Sequence, residues 1–101
     1  MSAQQVYMTS ETEIFSKWLK RLKDIKGKVA ILRRIQRAEK GNFGDHKSVG
    51  ENVLELRIDV GPGYRVYFTI KEDKVVFLLC GGSKDSQKKD IAKAHELIKE
   101  L

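Results

Sequence analysis

The chain has 101 residues, a formal net charge of +6 and a single cysteine, which fits one domain over residues 1–101 that buries a core without disulfides. No run approaches the roughly 20 apolar residues that span a bilayer, and no signal-peptide apolar segment follows Met1, so we expect a cytoplasmic protein without a membrane partner. The sequence also lacks HExxH-type ligand spacings and a Walker-type phosphate loop, so we expect neither a metal nor a small-molecule cofactor.

The N-terminal part of the chain predicts a short strand followed by two helices. Gln4–Thr9 alternates apolar and polar residues, and Ser10 with Glu13 forms the capping-box pattern that opens a helix. Gly27 separates this helix from a second one, which Gly41 ends. The apolar stripes expected to face the core are Ile14, Phe15, Trp18, Leu19, Leu22 and Ile25 in the first helix and Val29, Leu32 and Ile35 in the second.

Positive charge is concentrated in these two helices. Residues 16–40 contain ten Lys and Arg side chains against Asp24 and Glu39, a local charge of +8. Such a segment attracts polyanions, although solvated helices and an acidic protein partner remain alternatives that charge alone does not separate. The candidate RNA contacts here are Lys20, Lys23 and Arg37.

The remaining chain predicts an entry loop, three strands and a last helix. Gly41–Glu51 is the loop, Leu54–Val60 and Tyr64–Ile70 form a hairpin across a Gly-Pro-Gly turn, and Val75–Cys80 is an apolar strand. Cys80 is therefore expected to be a buried, unreactive thiol. After Ser83–Gln87 comes a helix whose inner side is Ile91, Ala94, His95, Ile98 and Leu101.

This order, β-α-α-β-β-β-α, predicts an α+β fold in two layers. We expect a small, mostly antiparallel sheet with the helical hairpin on one side and a C-terminal helix.

Alternation in the hairpin also predicts which side chains share a face. Arg57, Arg65 and Tyr67 are expected on the side of the hairpin away from the core. A guanidinium fork matches phosphate oxygens in geometry and charge, whereas the plainer interpretation is an ordinary solvent-facing surface. Among reactions without a metal, RNA scission by a ribose 2′-hydroxyl fits, because it needs positive charge on a phosphorane-like transition state.

Three segments resemble one family. Leu56-Arg57, then GPGYR at Gly61–Arg65 and LLCGGSK at Leu78–Lys84 are similar to the RelE/ParE superfamily of bacterial toxins, in particular its HigB-like, phage-derived host-killing branch. This resemblance implies a type II toxin that acts as a metal-independent, ribosome-dependent mRNA endoribonuclease and is neutralised by a helix-turn-helix antitoxin. A ParE-like DNA gyrase inhibitor and a non-catalytic RNA-binding module remain alternatives.

The resemblance also assigns site residues. It implies that Arg65 lies over the scissile phosphate, with Arg57 and Lys84 at basic positions of the same groove. Tyr67 is the candidate for stacking on a base or donating to an oxygen. Candidate RNA contacts near the groove are Lys47 and His46 on the entry loop and Lys88 on the last helix.

One departure from the RelE pattern leaves proton transfer unassigned. RelE-type toxins carry two lysines before the arginine strand, where this chain has Val53 and Glu55. We expect Arg57, Arg65 and Lys84 to meet in one hollow without internal ion pairs.

Overall fold

The computed structural model describes residues 6–101, and this part of the chain forms five strands and three α-helices. The strands are β1 (Met8–Glu11), β2 (His46–Ser48), β3 (Leu54–Ile58), β4 (Tyr64–Lys71) and β5 (Val75–Ser83); the helices are α1 (Glu13–Arg21), α2 (Ile25–Glu39) and α3 (Gln87–Ile98). A 3₁₀ turn, Lys84–Ser86, joins β5 to α3. Gln4 and Gln5 of the predicted first strand lie outside the described residues.

The strands form one sheet in the order β1-β5-β4-β3-β2. β1 runs parallel to β5, and the other neighbouring pairs are antiparallel. The predicted α+β class and mostly antiparallel sheet are therefore confirmed. The prediction of a loop throughout Gly41–Glu51 is wrong for β2, because three exposed residues are too few to show a strand period.

The first helix begins two residues later than predicted. Ser10 belongs to β1, which stays extended along β5 as far as Glu11. Thr12 is the N-cap instead, and its hydroxyl accepts a hydrogen bond from the Phe15 backbone N–H at 3.0 Å.

The break between α1 and α2 falls at residues 22–24, so the prediction that Gly27 separates the helices is wrong. Asp24 caps α2 by accepting the Gly27 N–H at 3.1 Å, and it also accepts the Tyr64 hydroxyl at 2.7 Å. Gly27 lies in the first turn because the Tyr64 ring occupies the space that a Cβ would need, with a ring carbon 2.4 Å away. The Gly-Pro-Gly turn is thereby fixed to the helical hairpin.

Helices cover both faces of the sheet, so the two-layer prediction is wrong and the fold has three layers. The core on the α1 and α2 side contains Phe15, Ile31, Ile35, Leu56, Ile58, Tyr64, Val66, Phe68, Val76 and Leu78. The core on the α3 side contains Val53, Tyr67, Leu79, Cys80, Ala94 and Leu97.

The predicted stripe of α2 was wrong in phase. Ile35 is buried as predicted, but its partners are Ile31 and Ala38, while Val29 and Leu32 are exposed. Apolar residues occupy more than half of this helix's circumference, so docking rather than periodicity selects the buried set. In α1 the buried residue is Phe15, and the exposed members of the predicted stripe are Ile14 and Ile25.

A β-bulge sets the phase of β5 against β4. Tyr67 pairs with Cys80 and Phe68 with Leu78, which leaves Leu79 as an extra residue. Leu79 and Cys80 consequently both contribute to the core on the α3 side.

Two adjacent glycines follow this bulge, one beneath each helical layer. A Cβ on Gly81 would lie 2.4 Å from the Trp18 ring of α1, and one on Gly82 would lie 1.9 Å from Oδ2 of Asp90 in α3. The missing side chains let both layers approach the strand closely.

Gly81→Ala is expected to lower the free energy of unfolding by about 1–3 kcal/mol, because the new methyl group overlaps the Trp18 ring. Urea titrations of both proteins measure this difference. The same substitution in a Trp18→Leu background should cost clearly less. An equal cost in both backgrounds would contradict steric overlap with the ring.

Candidate functional site

Two arginines lie side by side on the sheet face that carries α3. Arg57 of β3 is the cross-strand partner of Arg65 of β4, which in turn pairs with Gly82 of β5. Cross-strand partners share a face, with Cβ atoms about 5 Å apart. The strand register therefore places the two arginines side by side on one face of the sheet.

Arg65 is almost fully buried, with 7% of its surface exposed. Its Nη1 donates to the backbone carbonyl of Tyr64 at 3.1 Å, whereas its Nε has no hydrogen-bond partner. Within residues 6–101, no carboxylate forms an ion pair with Arg65. A desolvated cation without a counter-charge is unfavourable in the folded state and attracts an anion.

Lys84 meets Arg65 at the Gly-Pro-Gly turn. The Lys84 backbone N–H donates to the Gly63 carbonyl at 2.7 Å. A Cβ on Gly63 would lie 3.5 Å from Cβ of Lys84 and 3.6 Å from Nη1 of Arg65, so this glycine lies between the base of the Lys84 side chain and the Arg65 guanidinium. Its φ of +80° also disfavours other residues.

Arg57 differs from the expected free cation. Its Nε lies 3.0 Å from Oε1 of Glu55, two residues earlier on the same face of β3. The expectation that all three cations lack internal ion pairs is therefore wrong for Arg57. Its side chain stays 31% exposed, and its terminal amino groups are not among the buried, unpartnered atoms.

Glu55 is a fully buried carboxylate with three side-chain donors. Beside Arg57, it accepts hydrogen bonds from the Tyr67 hydroxyl at 3.0 Å and from Nε2 of Gln87 in α3 at 2.7 Å. Burial raises the pKa of Glu55, but hydrogen bonds from Gln87, Arg57 and Tyr67 outweigh this and hold it below its ordinary value. The carboxylate is thus ionised inside the protein.

Tyr67 does not lie on an exposed surface, so that prediction was wrong. It is fully buried beneath α3, and burial together with the Glu55 charge raises its pKa well above the ordinary value. Its ring is enclosed in the core, so no face of it is open to a base in this conformation, and its hydroxyl donates to Glu55. The alternation of polar residues predicted a solvent-exposed face here, but α3 covers that face.

The two candidate residues of the entry loop lie on opposite faces of the sheet. Lys47 is the cross-strand partner of Glu55, on the face of the arginines, and is exposed. His46 pairs with Leu56 on the other face, with its ring 5.6 Å from that of Phe43. The structure therefore brings Lys47 towards the arginines and separates His46 from them.

The basic helices are also separated from the arginines by the sheet. Lys20, Lys23 and Arg37 are exposed on the layer formed by α1 and α2, whereas Arg65 faces the α3 side. Lys88 is exposed in the first turn of α3, next to the Gln87 that binds Glu55. The candidate RNA contacts thus form two groups on opposite layers.

Sequence reasoning missed two residues that hold the surroundings of Arg57. Gln87 binds Glu55 as described, and Arg34 of α2 donates to the backbone carbonyls of Phe43 at 2.8 Å, Asp45 at 3.1 Å and Arg57. Burial lowers the pKa of Arg34. Neither role has a signal in residue spacing, because both contacts join segments distant in sequence.

Cys80 is buried as predicted, and burial raises the pKa of its thiol to about 12. Across residues 6–101 there is no group of three or more His, Cys, Asp or Glu residues arranged to hold a metal ion. Nor does any helix in that range have the length and apolarity to cross a membrane.

The model of the phage-derived protein Gp49-like family matches residues 17–99. The chain belongs to this family. It is also 50% identical over 90 residues to an uncharacterized protein of Haemophilus influenzae, a match that covers 89% of this chain and 91% of the relative.

Solved structures show the same fold. The E. coli toxin RelE, as a double arginine-to-alanine mutant in the free state, aligns with a TM-score of 0.73 at 16% identity, covering 95% of this chain and 98% of that one. A chain of the intact E. coli RelBE toxin-antitoxin complex gives 0.61 at 19% identity, covering 77% and 96%. The Helicobacter pylori protein HP0894 gives 0.52 at 21% identity, covering 79% and 97%. The predicted RelE-type fold and phage-derived family are confirmed.

The buried Glu55 carboxylate predicts a defined acid instability. Its folded pKa lies below the ordinary 4.5, so the unfolded chain takes up the proton first as the pH falls. The stability contributed by this ionised group is complete above about pH 4.5 and is lost as the pH falls through the folded pKa. We expect Glu55→Gln to show a shallower loss of unfolding free energy over this range, measured by urea titration at successive pH values.

Tyr67→Phe provides the comparison, because it removes one donor and keeps the carboxylate. Its acid dependence should fall between those of the wild type and Glu55→Gln. Identical curves for all three proteins would contradict a depressed pKa at Glu55.

Proposed function

We propose that this protein is the toxin of a type II toxin-antitoxin pair and arrests translation by cleaving mRNA on the ribosome. The family and the fold shared with toxin RelE support the toxin part of this proposal. The observation that carries the nuclease part is Arg65, a buried guanidinium without a counter-charge, placed beside Arg57 and Lys84. A phosphate supplies the anion that this group lacks.

The proposed reaction is attack of a ribose 2′-oxygen on the adjacent phosphorus. The O2′–P bond forms and the P–O5′ bond breaks, which gives a 2′,3′-cyclic phosphate and a 5′-hydroxyl, and negative charge grows on the non-bridging oxygens in between. The proton that leaves the 2′-hydroxyl and the proton that O5′ takes up are exchanged with water. Arg65 and the terminal amino groups of Arg57 stabilise this charge, and Lys84 adds a third positive group at the turn. Glu55 is not the base in this proposal, since it has no exposed surface and is held by three donors.

Two partners follow from the proposal. The first is the ribosome, whose RNA is a polyanion that the basic layer of α1 and α2 would contact while Arg65 faces the message. The second is a helix-turn-helix antitoxin that neutralises the toxin. A fold shared with a chain of the RelBE complex supports this kind of partner.

Arg65→Ala is expected to abolish growth arrest on induction and to slow mRNA cleavage at least about 100-fold. The melting temperature should be unchanged or higher, because removing an unpaired buried cation relieves a desolvation cost. Transcript 5′ ends mapped after induction and thermal unfolding of the purified protein measure both effects. Lys74→Ala, at an exposed residue in the turn between β4 and β5, is the control and should keep killing.

Three results would contradict the proposed nuclease activity. Undiminished killing by Arg65→Ala removes the role of this residue. A lowered melting temperature would mean that Arg65 serves the fold. Altered plasmid supercoiling with intact transcripts would indicate the gyrase-inhibitor alternative instead.

Replacing Lys20, Lys23 and Arg37 together with Gln is expected to weaken association with ribosomes and to lower the slope of log affinity against log salt by as much as about 2. Sedimentation with purified ribosomes at several salt concentrations measures the slope. Arg65→Ala serves as the comparison on the opposite layer, where at most one phosphate contact is lost. An unchanged slope in the triple variant would assign this charge to a protein partner or to solvent.

A further inference from the structure

We infer that Glu55 is a positioning residue, which holds Arg57 by one edge of its guanidinium so that the other edge faces the phosphate bound by Arg65. This inference rests on the proposed function and adds to it an internal carboxylate as part of the phosphate site. Glu55 stands at a position where the sequence pattern of RelE-type toxins has a lysine.

The contact between Glu55 and Arg57 uses the inner edge of the guanidinium. Glu55 Oε1 lies 3.0 Å from Nε of Arg57, which leaves the two terminal amino groups for another partner. Those amino groups are not among the buried, unpartnered atoms of the described chain, and 31% of the side chain is exposed. A planar fork held at Nε has its remaining donors in a fixed direction.

The carboxylate is itself immobile. Its second oxygen accepts from the Tyr67 hydroxyl at 3.0 Å on β4 and from Gln87 Nε2 at 2.7 Å on α3. Glu55 has no exposed surface, so water does not compete for these bonds. Residues of β3, β4 and α3 therefore determine the orientation of one half-buried arginine.

The register places the two arginines next to each other on one face of the sheet. Arg57 and Arg65 are direct cross-strand partners on the same face, and Lys84 lies beside Arg65 across Gly63. Without Glu55, Arg57 would be a flexible exposed side chain that loses rotamer freedom whenever it binds. With Glu55, that freedom is already lost in the folded protein, and phosphate binding requires less ordering.

A positioning role and a simple charge effect predict opposite changes in RNA affinity for Glu55→Gln. Glu55→Gln removes a negative charge close to the site, which by Coulomb attraction alone strengthens RNA binding. Positioning predicts weaker binding, because Arg57 is no longer held. Asp85→Asn makes the same charge change at an exposed residue next to Lys84 and is the matched control, expected to strengthen binding slightly.

The test is a double-mutant cycle on the full chain with two readouts. One is fluorescence anisotropy with a short single-stranded RNA carrying 2′-O-methyl riboses, which cannot undergo 2′-attack; the other is kcat/KM for mRNA cleavage on programmed ribosomes. Glu55→Gln should lower both at least about 10-fold, and it should lower the salt slope of RNA binding by about 0.7. In an Arg57→Ala background, Glu55→Gln should cause no further loss.

Equal losses in both backgrounds, or tighter RNA binding by Glu55→Gln, would overturn the inference. Gln87→Met, which removes one donor and leaves the Glu55–Arg57 pair, covers the case in which Glu55→Gln does not fold. It should weaken binding by less than Glu55→Gln and again only when Arg57 is present; loss without Arg57 contradicts positioning.

Failure of the proposed function looks different from failure of the inference. If the wild-type protein cleaves no mRNA on ribosomes, the proposed nuclease activity is wrong. The double-mutant cycle measured by fluorescence anisotropy still tests the coupling between Glu55 and Arg57 in that case. A wild type that cleaves, with additive effects of the two substitutions, removes the inference alone.

Discussion

The sheet of this protein is covered by helices on both faces, and this constraint decides what each charged residue of β3 and β4 can do. A charge on a covered face loses its water and must find partners inside the protein. Glu55 has found three, and its carboxylate is ionised and fixed. Arg65 donates to one backbone carbonyl, and no carboxylate within residues 6–101 forms an ion pair with it. The contrast separates a buried charge with internal partners from one without a counter-charge, which is the group that the proposed function assigns to phosphate.

Burying Arg65 without a counter-charge sets stability against binding. Stability alone favours an apolar residue of similar volume at this position. An anion that enters beside Arg65 removes the imbalance and gains more from the contact than it would at a solvated surface, because the cation is already desolvated and held. The neighbouring Gly63 has no side chain, and a Cβ there would lie 3.6 Å from Nη1 of Arg65.

The pattern of the strands predicted most of the fold. Predictions from the sequence were wrong where the surroundings of a residue depend on a second layer of structure. The alternation of β3 and β4 and the apolar run of β5 were long enough to define strands, and their register then brought Arg57 next to Arg65. β2 was too short to be recognised. The face of Tyr67 was taken as solvent-exposed because polar residues usually indicate water, and no local pattern reveals that α3 covers it.

The same limit explains the missed site residues. Glu55 was noted only as a departure from a family pattern, since a charged residue on a strand ordinarily faces solvent. Its three donors come from positions 2, 12 and 32 residues along the chain, and only folding brings the last two together. The helical stripes were likewise decided by docking rather than by composition.

The extra residue at Leu79 determines which side chains of β5 lie on each face of the sheet. From Cys80 onward, each side chain of β5 lies on its observed face because Leu79 has no cross-strand partner in β4. Deleting Leu79 would place each later side chain of β5 on the opposite face. The Trp18 indole of α1 would then lie against Gly82, which now lies next to the Asp90 carboxylate of α3. A change in the length of the last strand therefore disturbs both helical layers at once.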